Sequence, residues 1–335
     1  MEFFSEELSR LSAYLAHPKN IVIVPHKEPD GDAIGSSLAW YNVLKGLGHD
    51  AVVVSNDEVP GNLGWMEGAE SIVNYSSQAA EALSLIEKAE LFFFLDFNDI
   101  KRTGSLQKEL IKVNVPKVMI DHHPYPDTSL AQILISNTSM SSTCELSYRV
   151  MKALNLTPGS AAAGCVYSGI MTDTGMLNHN SSHPGVYNVV AELLDLGVNK
   201  DKVHEELFHS NSLSRTRLLG YALCHKMQVL SSGKVAYIAL SSEELKEYNY
   251  KPGDTEGLVN MPLSIEGVDV SVLLTERKKG LIKLSFRSRG SVVVNNYSER
   301  YFSGGGHNNA AGGEFAGSLE DALKLFCSTI ESFIK

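Results

Sequence analysis

The sequence predicts an α/β fold, with a parallel-sheet N-terminal domain and a smaller α+β C-terminal domain joined by a helical connector. Three observations carry this reading. Over the first 190 residues, short apolar runs rich in β-branched and aromatic side chains alternate with helix-period segments, the pattern of a parallel sheet covered on both faces. Residues 185–227 are then mostly helical in period, with Val189, Val190, Leu193, Leu194 and Leu196 at helix-like spacing. Strand patterns return after residue 234, and helical sequence closes the chain. A chain of 335 residues suits about two domains. They are drawn here as 1–190 and 228–335, with 191–227 as the connector.

The elements follow in order. Residues 21–24 (IVIV) read as the first buried strand and 33–47 as the helix after it. Residues 51–54 (AVVV), 91–95 (LFFFL) and 117–120 (KVMI) supply three more strands. In the C-terminal half, 234–240, 268–275 and 281–287 read as strands, and 319–334 as the last helix.

With 43% hydrophobic and 20% charged residues the chain has material for real cores, which argues against intrinsic disorder. The 29 Lys+Arg against 39 Asp+Glu leave a net charge of −10, unsuited to coating long duplex nucleic acid but compatible with a small anionic substrate held by a local basic patch. The N-terminal residues show no secretory pattern, and no apolar run is long enough to span a bilayer. Cys144, Cys165, Cys224 and Cys327 are scattered, without a metal or disulfide spacing, and read as reduced, mostly buried thiols. A cytoplasmic protein with no membrane partner is expected.

Three of the four N-terminal strands are followed at once by side chains able to bind metal. His26, Asp30 and Asp32 lie in the run 26–36 (HKEPDGDAIGS), Asp96 follows the apolar run 91–95, and Asp121, His122 and His123 follow 117–120. Parallel sheets gather ligand groups at the carboxyl ends of their strands, so these segments should converge. Asp173, in the run 169–175 (GIMTDTG), adds a carboxylate after an apolar helix. Clustered carboxylates repel one another unless cations neutralise them. Mixed imidazole and carboxylate donors without thiolate suit Mn²⁺, with Mg²⁺, Co²⁺ and Zn²⁺ as alternatives.

These motifs resemble those of the DHH phosphoesterase family, named for the triplet that stands here as Asp121, His122 and His123. The run 26–36, Asp96 and Asp173 are similar to other family motifs, and 303–312 (SGGGHNNAAG) is similar to the glycine-rich signature of the DHH-associated domain. The resemblance covers nearly the whole chain. It implies two divalent ions, one held by His26, Asp30 and Asp96 and the other by Asp32, Asp96, His122 and Asp173, with Asp96 between them. It implies that His123 faces the scissile phosphate and that Asp121 orients a histidine. Within the superfamily the length resembles the nanoRNase type, which degrades very short RNA and removes the 3′-phosphate of adenosine 3′,5′-bisphosphate (pAp). A homodimer through the N-terminal domain is expected by analogy.

Seven basic residues (Arg277, Lys278, Lys279, Lys283, Arg287, Arg289 and Arg300) lie between 277 and 300 against Glu299 alone. Guanidinium forks suit phosphate, and Arg287 and Arg289 share a face if one strand runs through both. Gly304, Gly305 and Gly306 allow backbone N–H groups close to a phosphate, and His307 adds a donor. Tyr297, Tyr301 or Phe302 is available to stack a base. Asp99 and Arg102 read as a local ion pair, and Ser303 stands where many family members have a fourth glycine. The expected activity is hydrolysis of short oligoribonucleotides, pAp, or both, by an activated water. The readings weighed against it are a linear or cyclic dinucleotide phosphodiesterase, an inorganic pyrophosphatase or exopolyphosphatase, and a non-catalytic nucleotide sensor. The two-lobe layout is expected to favour short substrates.

Overall fold

The computed structural model describes residues 4–334 and divides into two compact units, Met1–Ser210 and Asn211–Lys335. In the first unit α1 (Ser5–Tyr14) leads into β1 (Asn20–Val24), α2 (Gly31–Gly46), β2 (Asp50–Ser55), β3 (Val73–Asn74), α3 (Ala79–Lys88) and β4 (Leu91–Leu95). There follow α4 (Gln107–Leu110), β5 (Lys117–Asp121), β6 (Ile133–Ser136), α5 (Thr143–Ala153), α6 (Ser160–Asp173), α7 (Pro184–Asp195) and α8 (Lys200–His204). The strands form one six-stranded sheet in the order β3-β2-β1-β4-β5-β6, and every pair is parallel.

The side chains of the central strands are buried on both faces. Ile21, Ile23, Phe93, Val118 and Ile120 belong to one core, while Val22, Val24, Phe92, Phe94 and Met119 belong to another. This is why the strands read as continuous apolar runs. The chain winds one way from β1 through β2 to β3 and the other way from β4 through β5 to β6, so the order reverses between β1 and β4. A crevice opens outside the carboxyl ends of the strands at such a reversal.

Helices α2 and α6 approach closely because glycine stands where they touch. A Cβ on Gly35 would lie 2.6 Å from the Cys165 carbonyl oxygen, and one on Gly169 would lie 2.2 Å from Cys144 Sγ and 3.0 Å from Asp32 Oδ1. Larger residues would push the end of α6, which carries Asp173, away from the start of α2, which carries Asp32.

The second unit comprises α9 (Leu213–Tyr221), β7 (Met227–Val229), β8 (Val235–Leu240), α10 (Ser242–Glu247), β9 (Val270–Lys278), β10 (Leu281–Ser288), α11 (Val294–Phe302), β11 (Gly305–His307), β12 (Ala310–Ala316) and α12 (Leu319–Phe333). Its sheet runs β11-β12-β10-β9-β8-β7, with β8 and β9 parallel and the other pairs antiparallel.

Several expectations need correction. The short strands β3, β6 and β7 were not read from the sequence, because runs of two to four residues carry little periodicity. Cys144 and Cys165 are buried, but Cys224 and Cys327 are exposed. Tyr297 and Phe302 are 0% and 1% exposed and lie within the core of the second unit, so neither is a base platform. Arg289 lies one residue beyond the end of β10 and does not share a strand face with Arg287.

Candidate metal centre

Each chemical side chain of the first unit is placed by an element end. His26 lies two residues past β1, Asp96 follows β4 directly, Asp121 ends β5, and His122 and His123 follow it. Asp30 is the N-cap of α2, its Oδ1 accepting from the amides of Asp32 (3.0 Å) and Ala33 (3.1 Å). Asp32 lies in the first turn of α2 and is almost fully buried, yet its carboxylate reaches the N-terminus of another helix. Oδ2 accepts from Thr143 N at 2.6 Å and Oδ1 from Cys144 N at 2.8 Å, both on α5. Two unpaired amides at a helix start are a natural seat for a carboxylate. Thr143 Oγ1 donates to Asp96 Oδ1 at 2.9 Å and so ties α5 to β4.

Asp96 is central. Its backbone adopts φ 65°, a left-handed conformation that a non-glycine residue holds at a cost and that recurs at functional sites. Its Oδ2 lies 3.4 Å from His26 Nε2, and its Oδ1 lies 3.6 Å from His122 Nε2 and 3.6 Å from His123 Nδ1. His26 Nε2 is also 3.8 Å from Asp30 Oδ1. His122 Nε2 is 3.8 Å from Asp32 Oδ2 and 3.6 Å from Asp173 Oδ2. Donor atoms of His26, Asp30 and Asp96 form one group and those of Asp32, Asp96 and His122 another, each within 4.8 Å, with Asp96 common to both.

The ring orientations decide what these groups suit. His26 Nδ1 lies 2.8 Å from the Lys27 carbonyl oxygen and His122 Nδ1 lies 3.4 Å from that of Met140. A carbonyl only accepts, so Nδ1 carries a proton in both rings and Nε2 is the atom turned toward carboxylate oxygens, protonated in the metal-free protein and offering a lone pair once another cation takes the proton's place. Lone pairs converging on lone pairs repel unless a cation lies between them, so the donor set fits divalent ions. Proton affinities report the same demand for positive charge. Burial depresses His26, but the Asp30 and Asp96 carboxylates outweigh it and raise the imidazole to about 10. Burial likewise depresses His122, and Asp173, Asp32 and Asp96 raise it to about 9. Burial, then Asp96 and Asp173, push the Asp32 carboxyl well above its ordinary range.

Asp121 is fully buried and accepts from His123 Nδ1 at 2.7 Å, which fixes Nε2 as the outward ring atom of His123. Thr143 was missed as a supporting residue. Its sequence signal was the run from Ser142 to Glu145, in which the Ser142 hydroxyl accepts from Glu145 N as an N-cap. Asp99 is not paired with Arg102: its carboxylate accepts from Lys101 N at 2.9 Å and lies 3.6 Å from Lys101 Nζ.

In the second unit Arg287 on β10 and His307 on β11 are both in register with Ala310, on the strand between them. Residues in register across adjacent strands share a sheet face, so the guanidinium and the imidazole flank a methyl group. Along β10, Ile282, Leu284 and Phe286 are buried while Lys283, Ser285 and Arg287 are half-buried, which puts Lys283 on the same face. Gly305 and Gly306 belong to β11 rather than to a loop. A Cβ on Gly304 would lie 1.9 Å from the Gly312 carbonyl oxygen, so packing alone requires that glycine. Nothing lies within 4 Å of a Cβ built on Gly305.

Residues 20–170 match the model of the DHH family N-terminal domain, and residues 232–335 match that of the DHHA1 domain. The chain is also 30% identical over 301 residues to the bifunctional oligoribonuclease and PAP phosphatase NrnA of Thermus thermophilus, covering 89% of this chain and 84% of that one. The chain belongs to the DHH family. Among solved structures, an exopolyphosphatase-related protein from Bacteroides fragilis is 38% identical, with a TM-score of 0.90 over 98% of this chain and 96% of the other. The DHH fold also extends to RecJ of Thermus thermophilus in complex with Mn²⁺, at 15% identity and a TM-score of 0.55 over 98% of this chain and 54% of RecJ. That last likeness is one of fold alone. No helix among the described residues is long and apolar enough to cross a membrane.

Proposed function

We propose that the chain is a phosphoesterase that uses two divalent ions, Mn²⁺ being the best match to the donor set, to hydrolyse pAp and short oligoribonucleotides. The observation that carries this reading is the position of Asp96, whose two oxygens face two separate groups of donors. When bound, the ions supply Lewis acidity toward a phosphoryl oxygen and toward the attacking water.

The residues divide the remaining work. His26 and Asp30 on one side, and Asp32, His122 and Asp173 on the other, would hold the ions, with Asp96 offering one oxygen to each group. The α5 amides keep Asp32 in place as charge arrives. Asp121 holds His123 by Nδ1, leaving Nε2 to hydrogen bond the reacting phosphate or return a proton to the departing ester oxygen. Water adds to phosphorus and gives up a proton to solvent, the P–O ester bond breaks, and a proton from His123 Nε2, replaced from solvent afterwards, completes the leaving alcohol.

The substrate class rests on the NrnA relative, whose name carries both activities. It also rests on the second unit, where Arg287, Lys283 and His307 share one sheet face suited to nucleotide phosphates, with the Gly304, Gly305 and Gly306 backbone beside it. A second reading, hydrolysis of inorganic pyrophosphate or polyphosphate, is favoured by the Bacteroides fragilis likeness. The experiment that separates them is release of phosphate and mononucleotide from pAp, a diribonucleotide and pyrophosphate in parallel, with Mn²⁺ and with chelator. Turnover of the first two with Mn²⁺ supports the proposal, and turnover of pyrophosphate alone replaces it with the second reading.

A further inference from the structure

Arg102 stands beside the candidate metal centre, and among the described residues its side chain has no hydrogen-bonded partner. The residue is half-buried, and no carboxylate among the described residues lies within ion-pair distance of it. A half-buried arginine usually satisfies its fork, so an unmatched one next to a cluster of ligands is a group waiting for an anion.

The backbone under Arg102 is held from two sides. Its carbonyl accepts from Lys27 N at 2.6 Å, which joins it to the segment immediately after His26, and its own amide donates to the Asp99 carbonyl at 2.9 Å. Two residues on, Gly104 adopts φ 65° against the face of Asn56, where a Cβ would lie 2.8 Å from Asn56 Nδ2. Asn56 Oδ1 then accepts from Ser105 N at 2.9 Å, Ser105 Oγ at 2.7 Å and Leu106 N at 3.3 Å. Asn56 itself is buried just past β2. Segments leaving β1 and β2 thus clamp the one leaving β4, and the clamp holds Arg102 next to His26. Its charge lies close enough to act on both His26 and Asp30.

Charge supplies the reason. The carboxylates of Asp30, Asp32, Asp96 and Asp173 balance two doubly charged ions, leaving no net attraction for a phosphate that is itself negative. A guanidinium outside the ligand set, on the His26 and Asp30 side, restores it and offers two parallel donors to non-bridging oxygens.

We infer that Arg102 is a catalytic residue that binds the non-bridging oxygens of the scissile phosphoryl group on the His26 and Asp30 side of the centre. The inference rests on the proposed phosphoesterase function and names a further residue for it. Because the contact is with the reacting group, it is independent of base identity and of how many phosphates a substrate carries.

The test compares wild type, Arg102→Ala and Arg102→Lys in the full-length, Mn²⁺-loaded protein. Steady-state hydrolysis of pAp and a diribonucleotide is measured together with bound metal, melting temperature and the affinity for inorganic phosphate by calorimetry. The expected result for Arg102→Ala is a loss of about 10²–10³-fold in kcat on both substrates, the scale of removing one preorganised donor. Phosphate affinity falls about 10-fold or more, metal content and melting temperature stay at wild-type values, and added guanidinium ion partly restores the rate. Arg102→Lys keeps the charge, loses the fork and lies between the two. Wild-type rates in Arg102→Ala overturn the inference, as does a loss of rate accompanied by loss of metal, which makes Arg102 a structural support. A defect confined to pAp also overturns it, because the arginine then reads the second phosphate. If wild type turns over neither substrate, it is the phosphoesterase reading that fails, a result separate from all of these.

Discussion

His123 and Asp121 form a tight pair in which Nδ1 donates to Oδ1 at 2.7 Å while the carboxylate is wholly shielded from water. A buried carboxylate that spends an oxygen on a neighbouring histidine orients that ring, whereas the Asp96 carboxylate faces two other donor groups. The two acids therefore divide the labour within a few ångströms of each other.

Asp121→Asn replaces a charged acceptor by an amide that can present NH₂ to the ring and reverse its tautomer. The expected outcome is a fall of about 10–100-fold in kcat with bound metal unchanged. Paired kinetics and metal analysis check it, and an unchanged kcat removes Asp121 from the role assigned to it.

Metal removal should lower stability, and more so at alkaline pH. In the metal-free protein His26 lies at about 10 and His122 at about 9, both above the ~6.5 of an unfolded imidazole. Groups raised on folding contribute stability that is complete below the unfolded value and is lost as pH climbs through the folded one. Asp32, also raised, acts with the same sign. The melting temperature of chelated protein should therefore fall from neutral pH toward pH ~9–10, while the loaded protein, with ions in place of protons, holds steady. At ion concentrations about 100-fold above Kd the loaded form gains about 2.7 kcal/mol for each site filled. Mn²⁺ binding near neutral pH should also release protons, seen as buffer-dependent heats in calorimetry. A pH-independent gap between the two forms contradicts this.

The glycine-rich segment separates into parts by substitution. Gly304→Ala should destabilise by about 1–3 kcal/mol, because its Cβ meets the Gly312 carbonyl. Ser303 caps α11 in the left-handed region at φ 48°, so Ser303→Gly should raise stability by about 0.5–1 kcal/mol. Gly305→Ala should leave the melting temperature alone and raise KM, since open space lies where the methyl would project. Thermal melts and KM values for the three variants check the assignment.

Arg287→Ala should raise KM for pAp about 10-fold, the scale of one charge-assisted hydrogen bond, and leave bound metal at wild-type levels. An unchanged KM takes the residue out of the proposed nucleotide grip.

The clustering of the N-terminal residues was legible because His26, Asp96 and the run 121–123 each sit at the exit of a buried apolar strand, and a parallel sheet brings strand exits together whatever their separation in sequence. What stayed hidden depends on contacts that local pattern does not encode. Nothing near Asp32 shows that its carboxylate receives amides 111 and 112 positions away, on α5. Tyr297 and Phe302 looked like a stacking platform because an aromatic beside a basic, glycine-rich run reads the same whether it faces solvent or core. Arg289 was misplaced because β10 stops at Ser288, where the Asn309 carbonyl takes the last strand amide. The partnerless state of Arg102 emerges only once Asp99 is seen to take Lys101 instead.

The central claim is that one carboxylate, Asp96, is shared by two cation sites, and Mn²⁺ stoichiometry in wild type and Asp96→Asn tests it most directly. Calorimetric titration of chelator-stripped protein should give two ions per wild-type chain. In Asp96→Asn both sites should weaken together and turnover should be lost, because the neutral amide faces both donor groups. One ion per wild-type chain, or an Asp96→Asn variant that still binds two ions and turns over near the wild-type rate, would contradict the account.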